Sequence, residues 1–296
     1  MNLELNQKTC RLLSKAKNYD CVDFAEYEID GKKATVLDFG AKGAIPKETA
    51  TALGILAAEA SMGTLGKVKV EKDAVTVKIP KHPAIATLSC QLAGWAVEID
   101  GKKRLGSGPA RILAQKPKKI TDAAGYEESS HDAALVLETG TLPGKDACRN
   151  ILEATQADNL VIAAFKDDTT VGIINVLARI VEVGIFRLHN LGYDAKNVVS
   201  AEGCVPMIAP GPDAMFCAND AIIYGGKVAL KTKSWQAGLE LKAVSMFSPF
   251  YGKTFKDIYD EAGGDFYKID AGIFAPASLE ASDLANGLKY HAGKSR

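Results

Sequence analysis

The chain has no surplus of charge of either sign: Lys and Arg total 36, Asp and Glu total 36, and the isoelectric point is near 6.9. That balance speaks against the basic surface by which a protein holds nucleic acid or an anionic membrane. Long apolar runs are missing as well, and nothing approaches the roughly 20 mainly apolar residues of a spanning helix. The opening residues, MNLELNQKTC, lack the positive-then-apolar pattern of a secretory leader, so a cytoplasmic location is expected. Metal-site spacing is absent. The six cysteines, Cys10, Cys21, Cys90, Cys148, Cys204 and Cys217, form no CxxC pair, and the four histidines, His82, His131, His189 and His291, stand apart. The cysteines read as small buried hydrophobes, because a chain of 296 residues that is 47% hydrophobic has no need of a disulfide scaffold. No stretch is rich enough in Pro, Gly or Ser to mark a linker.

What is present is an alternation of short strands and helices, which implies an α/β or α+β fold. Residues 2–17 place Leu and Lys at helical spacing. CVDFAEYEIDGKKATVLDFG predicts two strands joined at Asp30-Gly31, and a similar hairpin is expected at Asp100-Gly101. KETATALGILAAEAS is Ala-rich and helical, and VKVEKDAVTVKIP is a second strand pair. DAALVLET and NLVIAAF are apolar runs suited to buried strands, with a helix between them. A long helix is expected over Thr170–Leu191, and AIIYGGKVALKT reads as a hairpin turning at Gly225-Gly226. The pattern changes near Ala124, which suggests lobes of 1–124 and 125–296, the C-terminal segment being free to return to the first. EIDGKK occurs twice, at Glu28–Lys33 and Glu98–Lys103, either because hairpins of one type recur or because the chain carries an internal repeat.

Val171–Gly192, VGIINVLARIVEVGIFRLHNLG, is apolar over most of its circumference, as buried helices are. Asn175, Arg179, Glu182 and His189 nevertheless fall on one narrow stripe at about 100° per residue. Two readings follow. Arg179 and Glu182 are helical neighbours and can form a plain ion pair. Alternatively the stripe lines a pocket, where burial raises the proton affinity of Glu182, Arg179 opposes the rise, and the carboxylate becomes a general base near neutral pH. His189 lies over two turns further on, away from any such site.

RLGSGPARIL, Arg104–Leu113, places two glycines, a serine and a proline ahead of a helix. It matches neither the P-loop nor the dinucleotide fingerprint. It is either an ordinary tight turn or a cradle in which Ser107, Gly108 and Arg111 hold a phosphate or carboxylate. FSPFYGKTF sets aromatics around Gly252 and Lys253, AGGDFYKIDAGIFAPA repeats the theme with Asp265, Tyr267, Lys268 and Asp270, and NDAIIYGG carries Asn219 and Asp220 at a strand edge.

HPAIATLSCQLAGW, RLGSGPARIL, ARIVEVG, NDAIIYGG, FYGKTF and DFYKIDAGIFAPA occur in the order found in methenyltetrahydromethanopterin cyclohydrolases, and the chain resembles that family from about residue 82 to 277. TVLDFGAKGAI and the following helix resemble it more loosely. The resemblance implies a fold of two α/β lobes with mixed sheets and the pterin in a cleft between them. It implies water addition to a 5,10-methenyl carrier to give the N5-formyl form, without metal or bound cofactor. It further implies a homotrimer or other homo-oligomer, in methanogens, related archaea or methylotrophic bacteria. The family's arginine-x-x-glutamate motif falls on Arg179 and Glu182, which makes Glu182 the general base and Arg179 its support. Ser107, Gly108, Arg111, Asn175, Asn219, Asp220, Tyr251 and Lys253 are the expected substrate contacts, with an anionic part of the carrier at Ser107–Arg111.

Departures from the family pattern are Leu92 for a lysine, Ile173 and Asn175 in place of Ser and Gln, and Thr254 for a proline. They bear on the carrier variant more than on the reaction. Two rival readings are a two-lobed pterin or anion carrier without turnover, and a hydrolase using Cys204 or Cys217 with a distant histidine.

Overall fold

In a computed structural model, residues 2–40, 45–265 and 268–294 are described. Tyr267 and part of the TVLDFGAKGAI stretch lie outside them.

Two six-stranded mixed sheets organise the chain. The first contains β1 (Asp23–Ile29), β2 (Lys32–Asp38), β5 (Trp95–Ile99), β6 (Lys102–Ser107), β7 (Asp132–Glu138) and β8 (Asn159–Phe165), in the order β1-β2-β8-β7-β6-β5. The second runs β12-β11-β10-β9-β4-β3, from β3 (Lys67–Val70), β4 (Ala74–Ile79), β9 (Val198–Pro206), β10 (Lys227–Thr232), β11 (Ser278–Asp283) and β12 (Lys289–Gly293). The chain crosses between the sheets repeatedly. A division at residue 124 therefore cuts the first sheet and parts the β3–β4 pair from β9 in the second.

Local chemistry explains these elements. The hairpins turn where expected, with Asp30-Gly31 at φ 52° and 78° and Asp100-Gly101 at 49° and 72°. Two successive left-handed residues match the twist of the flanking strands. The two EIDGKK copies occupy opposite edges of one sheet. β2 pairs parallel to β8, whereas β6 pairs antiparallel to β7, and β7 and β8 are themselves parallel. The pairing senses do not superpose, so the string recurs as a turn and not as a repeated unit.

β7 and β8 sit at the centre of the first sheet, apolar on both faces, as a parallel pair covered on each side must be. One face packs on α5 (Lys145–Thr155) together with Ile29, Val36 and Trp95. The other packs on α1 (Leu5–Ser14) and α2 (Lys47–Ser61) through Leu13, Leu53 and Phe39.

The expected long helix is two. α6 (Thr170–Leu177) and α7 (Ile180–Asn190) are separated at Ala178–Arg179. α6 lies against α2, where a Cβ on Gly54 would come within 2.9 Å of Ile174. α7 lies on the second sheet, where a Cβ on Gly203 of β9 would come within 2.6 Å of Ile180. The break thus falls where the chain passes from a partner of the first layer to the second.

The hairpin read at Gly225-Gly226 is a correction. Ala214–Gly225 is α8, and only Lys227–Thr232 is strand. Ala214, Ala218 and Ile222 are buried at intervals of four, the helical spacing that a short apolar run conceals.

Candidate active site

The end of β7 and the break between α6 and α7 meet in a cluster of charge. Glu138 is the last residue of β7, and its Oε1 accepts hydrogen bonds from Arg179 Nη2 at 2.8 Å and Asn175 Nδ2 at 2.8 Å. Arg179 Nη1 donates to the Gln91 carbonyl at 2.6 Å and stands 3.9 Å from Glu182 Oε2. Gln91 ends a seven-residue π-helical segment, Ile85–Gln91, and its side-chain amide donates to the Ala178 carbonyl at 3.1 Å. Gln91 therefore holds the helix break twice, by its backbone oxygen on Arg179 and by its side chain on Ala178.

The break orients the stripe. Arg179 is the residue before α7, at φ −75° and ψ 0°, and Glu182 lies in the first turn of that helix, where the helix dipole favours a negative charge. Burial nevertheless pushes the Glu182 carboxyl up to about 7; Arg179 and then Arg111 oppose the rise, and Glu138 adds to it. The side chains of Glu138, Arg179 and Glu182 are 16, 11 and 7% exposed, so solvent still reaches each of them. A largely buried carboxyl balanced at neutral pH beside a fixed guanidinium can take a proton and return it.

Of the stripe read from the sequence, Asn175, Arg179 and Glu182 are brought together. His189 is not: it sits near the far end of α7, its pKa lowered by burial and by Lys119. The ion-pair reading is half right. Arg179 does pair, but its closer carboxylate is Glu138, which sequence reasoning missed because it appeared only as the end of an apolar strand. An acid at the C-terminal end of a buried parallel strand is the signal that could have found it. Asp167, on the turn between β8 and α6, is a second omission. Burial raises its pKa, and Glu138 raises it further.

The Gly-rich turn packs against the π-helical segment. Gly108, at φ 111°, gives its N–H to the Cys90 carbonyl at 2.8 Å, and a Cβ there would meet the Ala134 oxygen at 2.9 Å. Ser107 and Arg111 are buried. Arg111 donates through Nε to the Lys116 carbonyl at 2.8 Å, and through Nη1 to the carbonyls of Leu88, Ser89 and Cys90 at 3.0, 3.1 and 3.2 Å. Apart from Arg111 Nη2, which has no hydrogen-bond partner among the described residues, these donors meet protein oxygens.

Asn219, Asp220, Tyr251 and Lys253 gather elsewhere. Asn219 Nδ2 donates to the Met215 carbonyl at 2.9 Å, within α8 and not at a strand edge. Asp220 Oδ1 accepts the Phe255 N–H at 2.8 Å and so holds the start of α10 (Phe255–Glu261). The Lys253 ammonium pairs with Glu261 at 2.7 Å, and the Tyr251 ring lies 5.2 Å from that of Tyr224. Of the thiols proposed as nucleophiles, Cys204 is half-buried on β9 and Cys217 is exposed on α8. Among the described residues no group of three His, Cys, Asp or Glu side chains could hold a metal ion. A surface cavity of about 310 Å³ lined by Lys81, His82, Ile85, Lys196 and Lys233, and another of about 280 Å³ beside His189 and Tyr193, share no residue with the Glu138–Arg179–Glu182 cluster.

A mixed two-sheet α/β frame thus buries a carboxyl–guanidinium pair at a helix break. The family model described as Cyclohydrolase (MCH) matches residues 4–296. Proteins called methenyltetrahydromethanopterin cyclohydrolase are similar over most of their length. That of Methanospirillum hungatei is 33% identical over 99% of this chain and 96% of its own, and that of Methanothermobacter thermautotrophicus 35% over 99% and 95%. That of Methanosphaerula palustris is 35% identical over 91% of this chain and 88% of its own. The chain belongs to the cyclohydrolase (MCH) family and is a hydrolase acting on a cyclic amidine C–N bond.

Proposed function

We propose that the chain adds water to 5,10-methenyltetrahydromethanopterin or a close pterin analogue, giving the N5-formyl form, with Glu182 as general base and Arg179 in support. The observation that carries this reading is the Glu182 carboxyl itself: buried, in the first turn of α7, raised to about 7, and 3.9 Å from a guanidinium anchored on Glu138. The names of the relatives supply the substrate.

The methenyl carbon is an electron-poor centre between two nitrogens. As the water oxygen bonds to it, Glu182 takes one proton and a neutral carbinolamine forms. The C–N10 bond then breaks, Glu182 returns its proton to N10, and the carbinol O–H proton is lost as the formyl carbonyl forms. One proton is released overall. A single positioned base contributes roughly 10²–10⁴-fold to such a step. Because Glu138 anchors Arg179, the guanidinium steadies the Glu182 anion without forming a tight pair that would quench its basicity.

In this reading the carrier is substrate and no resident metal or cofactor takes part. The chain works in the cytoplasm as a homotrimer or other homo-oligomer. Among the described residues no helix is long and apolar enough to cross a membrane. The exposed Leu241, Met246, Phe247, Leu284 and Leu288 offer apolar surface for self-association. Sedimentation at micromolar concentration should give a multiple of the 31.4 kDa chain, and a single-chain mass would remove the oligomer from the proposal.

The activity is tested by adding the purified chain to the methenyl carrier and following loss of the methenyl absorbance. Catalytic loss with formation of the N5-formyl product is expected. Tight binding of the carrier without turnover would instead favour the carrier reading.

A further inference from the structure

The arginine of GSGPAR is bonded to backbone carbonyls of Lys116 and of the π-helical segment. It is a fully buried cation (0% exposed) with no carboxylate in hydrogen-bond contact. Burial brings Arg111 down to about 10. So costly a group needs a reason. Its bonds to the Leu88, Ser89 and Cys90 carbonyls fasten the last turn of the π-helical segment one residue before Gln91. Gln91 in turn grips Arg179 and Ala178. Arg111 Nη2 has no hydrogen-bond partner and lies against Gly94, where a Cβ would come within 2.9 Å of it. LSCQLAG and GSGPAR, joined across the 21 residues from Cys90 to Arg111, thus form one device.

We propose that Arg111 is a positioning residue for the reaction. It fixes Gln91, and through Gln91 the Arg179–Glu182 helix start, while its buried charge helps keep Glu182 ionised. The charged groups that face Glu182 are Arg179 from its own helix start, Arg111 from α3 (Ala110–Ala114) and Glu138 from β7. Arg111 is joined to the other two through backbone carbonyls and not through substrate. The inference rests on Glu182 being the base.

The experiment is the pH profile of kcat/KM for Arg111→Met, Arg111→Lys and Gly94→Ala, with Glu182→Gln beside them. Removing a cation makes the carboxylate harder to ionise. Arg111→Met should therefore move the acid limb upward by about half a pH unit or more, with KM little changed. Arg111→Lys keeps the charge but not the fork of bonds. It should leave the limb in place and lower kcat about tenfold. Gly94→Ala, whose Cβ would meet Pro117 Cδ at 2.6 Å and Arg111 Nη2 at 2.9 Å, crowds the guanidinium against its neighbours and should lower kcat similarly, and it carries the test if Arg111→Met does not fold. A folded Arg111→Met with the wild-type limb, or Gly94→Ala within twofold of wild type, would overturn the proposal. Near-normal turnover by Glu182→Gln would instead overturn the base assignment beneath it, so the two failures are told apart.

Discussion

Arg179 donates to Glu138 at 2.8 Å while its other terminal nitrogen stands 3.9 Å from Glu182, so the guanidinium is committed to one carboxylate and only neighbours the other. Burial raises the Glu182 carboxyl, and an arginine committed to Glu138 opposes that rise without cancelling it. The carboxylate in contact with the cation is held by two charge-assisted bonds, and the one at a distance is left with a proton affinity high enough for catalysis.

Glu138→Gln should disturb that division. Without the negative charge, Arg179 has Glu182 as its remaining acidic neighbour, and the proton affinity of Glu182 should fall. The acid limb of kcat/KM should then move to lower pH, opposite to the shift expected for Arg111→Met, with a loss of about tenfold or more in kcat/KM from the broken charge-assisted bond. A profile with the wild-type limb would mean that Glu138 does not act on Glu182.

Burying this carboxyl should also appear in stability. The folded value of about 7 lies above the ordinary glutamate value of 4.5, so between those limits the folded chain holds a proton that the unfolded chain has released. Unfolding free energy should therefore be highest below about pH 4.5, fall as pH rises to about 7, and level off above it. The swing is of the order of 3 kcal/mol from this one group. Denaturant unfolding at pH 5 and pH 8, for wild type and Glu182→Gln, checks the sign. The variant should lose the slope and be the more stable protein at pH 8.

How much of this was legible in the sequence depended on range. Asp30-Gly31 and Asp100-Gly101 announced their hairpins because two adjacent residues set the turn, and the apolar runs of β7 and β8 announced buried strands. Asn175, Arg179 and Glu182 could be grouped by helical angle alone, even though the helix proved to be two. The break itself was hidden, because Gln91, 88 residues from Arg179, makes it. Glu138 was hidden for the same reason, being 41 residues from the guanidinium it holds. The contacts of GSGPAR were hidden as well, because the Leu88–Cys90 carbonyls that Arg111 meets belong to another segment. AIIYGG misled because six residues are too few to separate a strand from a helix end.

Gly108 provides a test of that turn. At φ 111°, and with the Ala134 oxygen 2.9 Å from where a Cβ would stand, alanine has neither the conformation nor the room. Gly108→Ala should lower unfolding free energy by about 2 kcal/mol or more. It should also lower activity, since the Gly108 N–H bond to Cys90 helps hold the π-helical segment. Wild-type melting would show that the turn is not built as described.

The most direct test of the central claim is kcat/KM of Glu182→Gln, followed by loss of the methenyl absorbance at pH 8 with binding of the carrier measured alongside. The amide keeps the volume of the carboxyl and cannot accept the proton. The account predicts a fall of about 10²-fold or more with binding retained. A kcat/KM within a few-fold of wild type would contradict it.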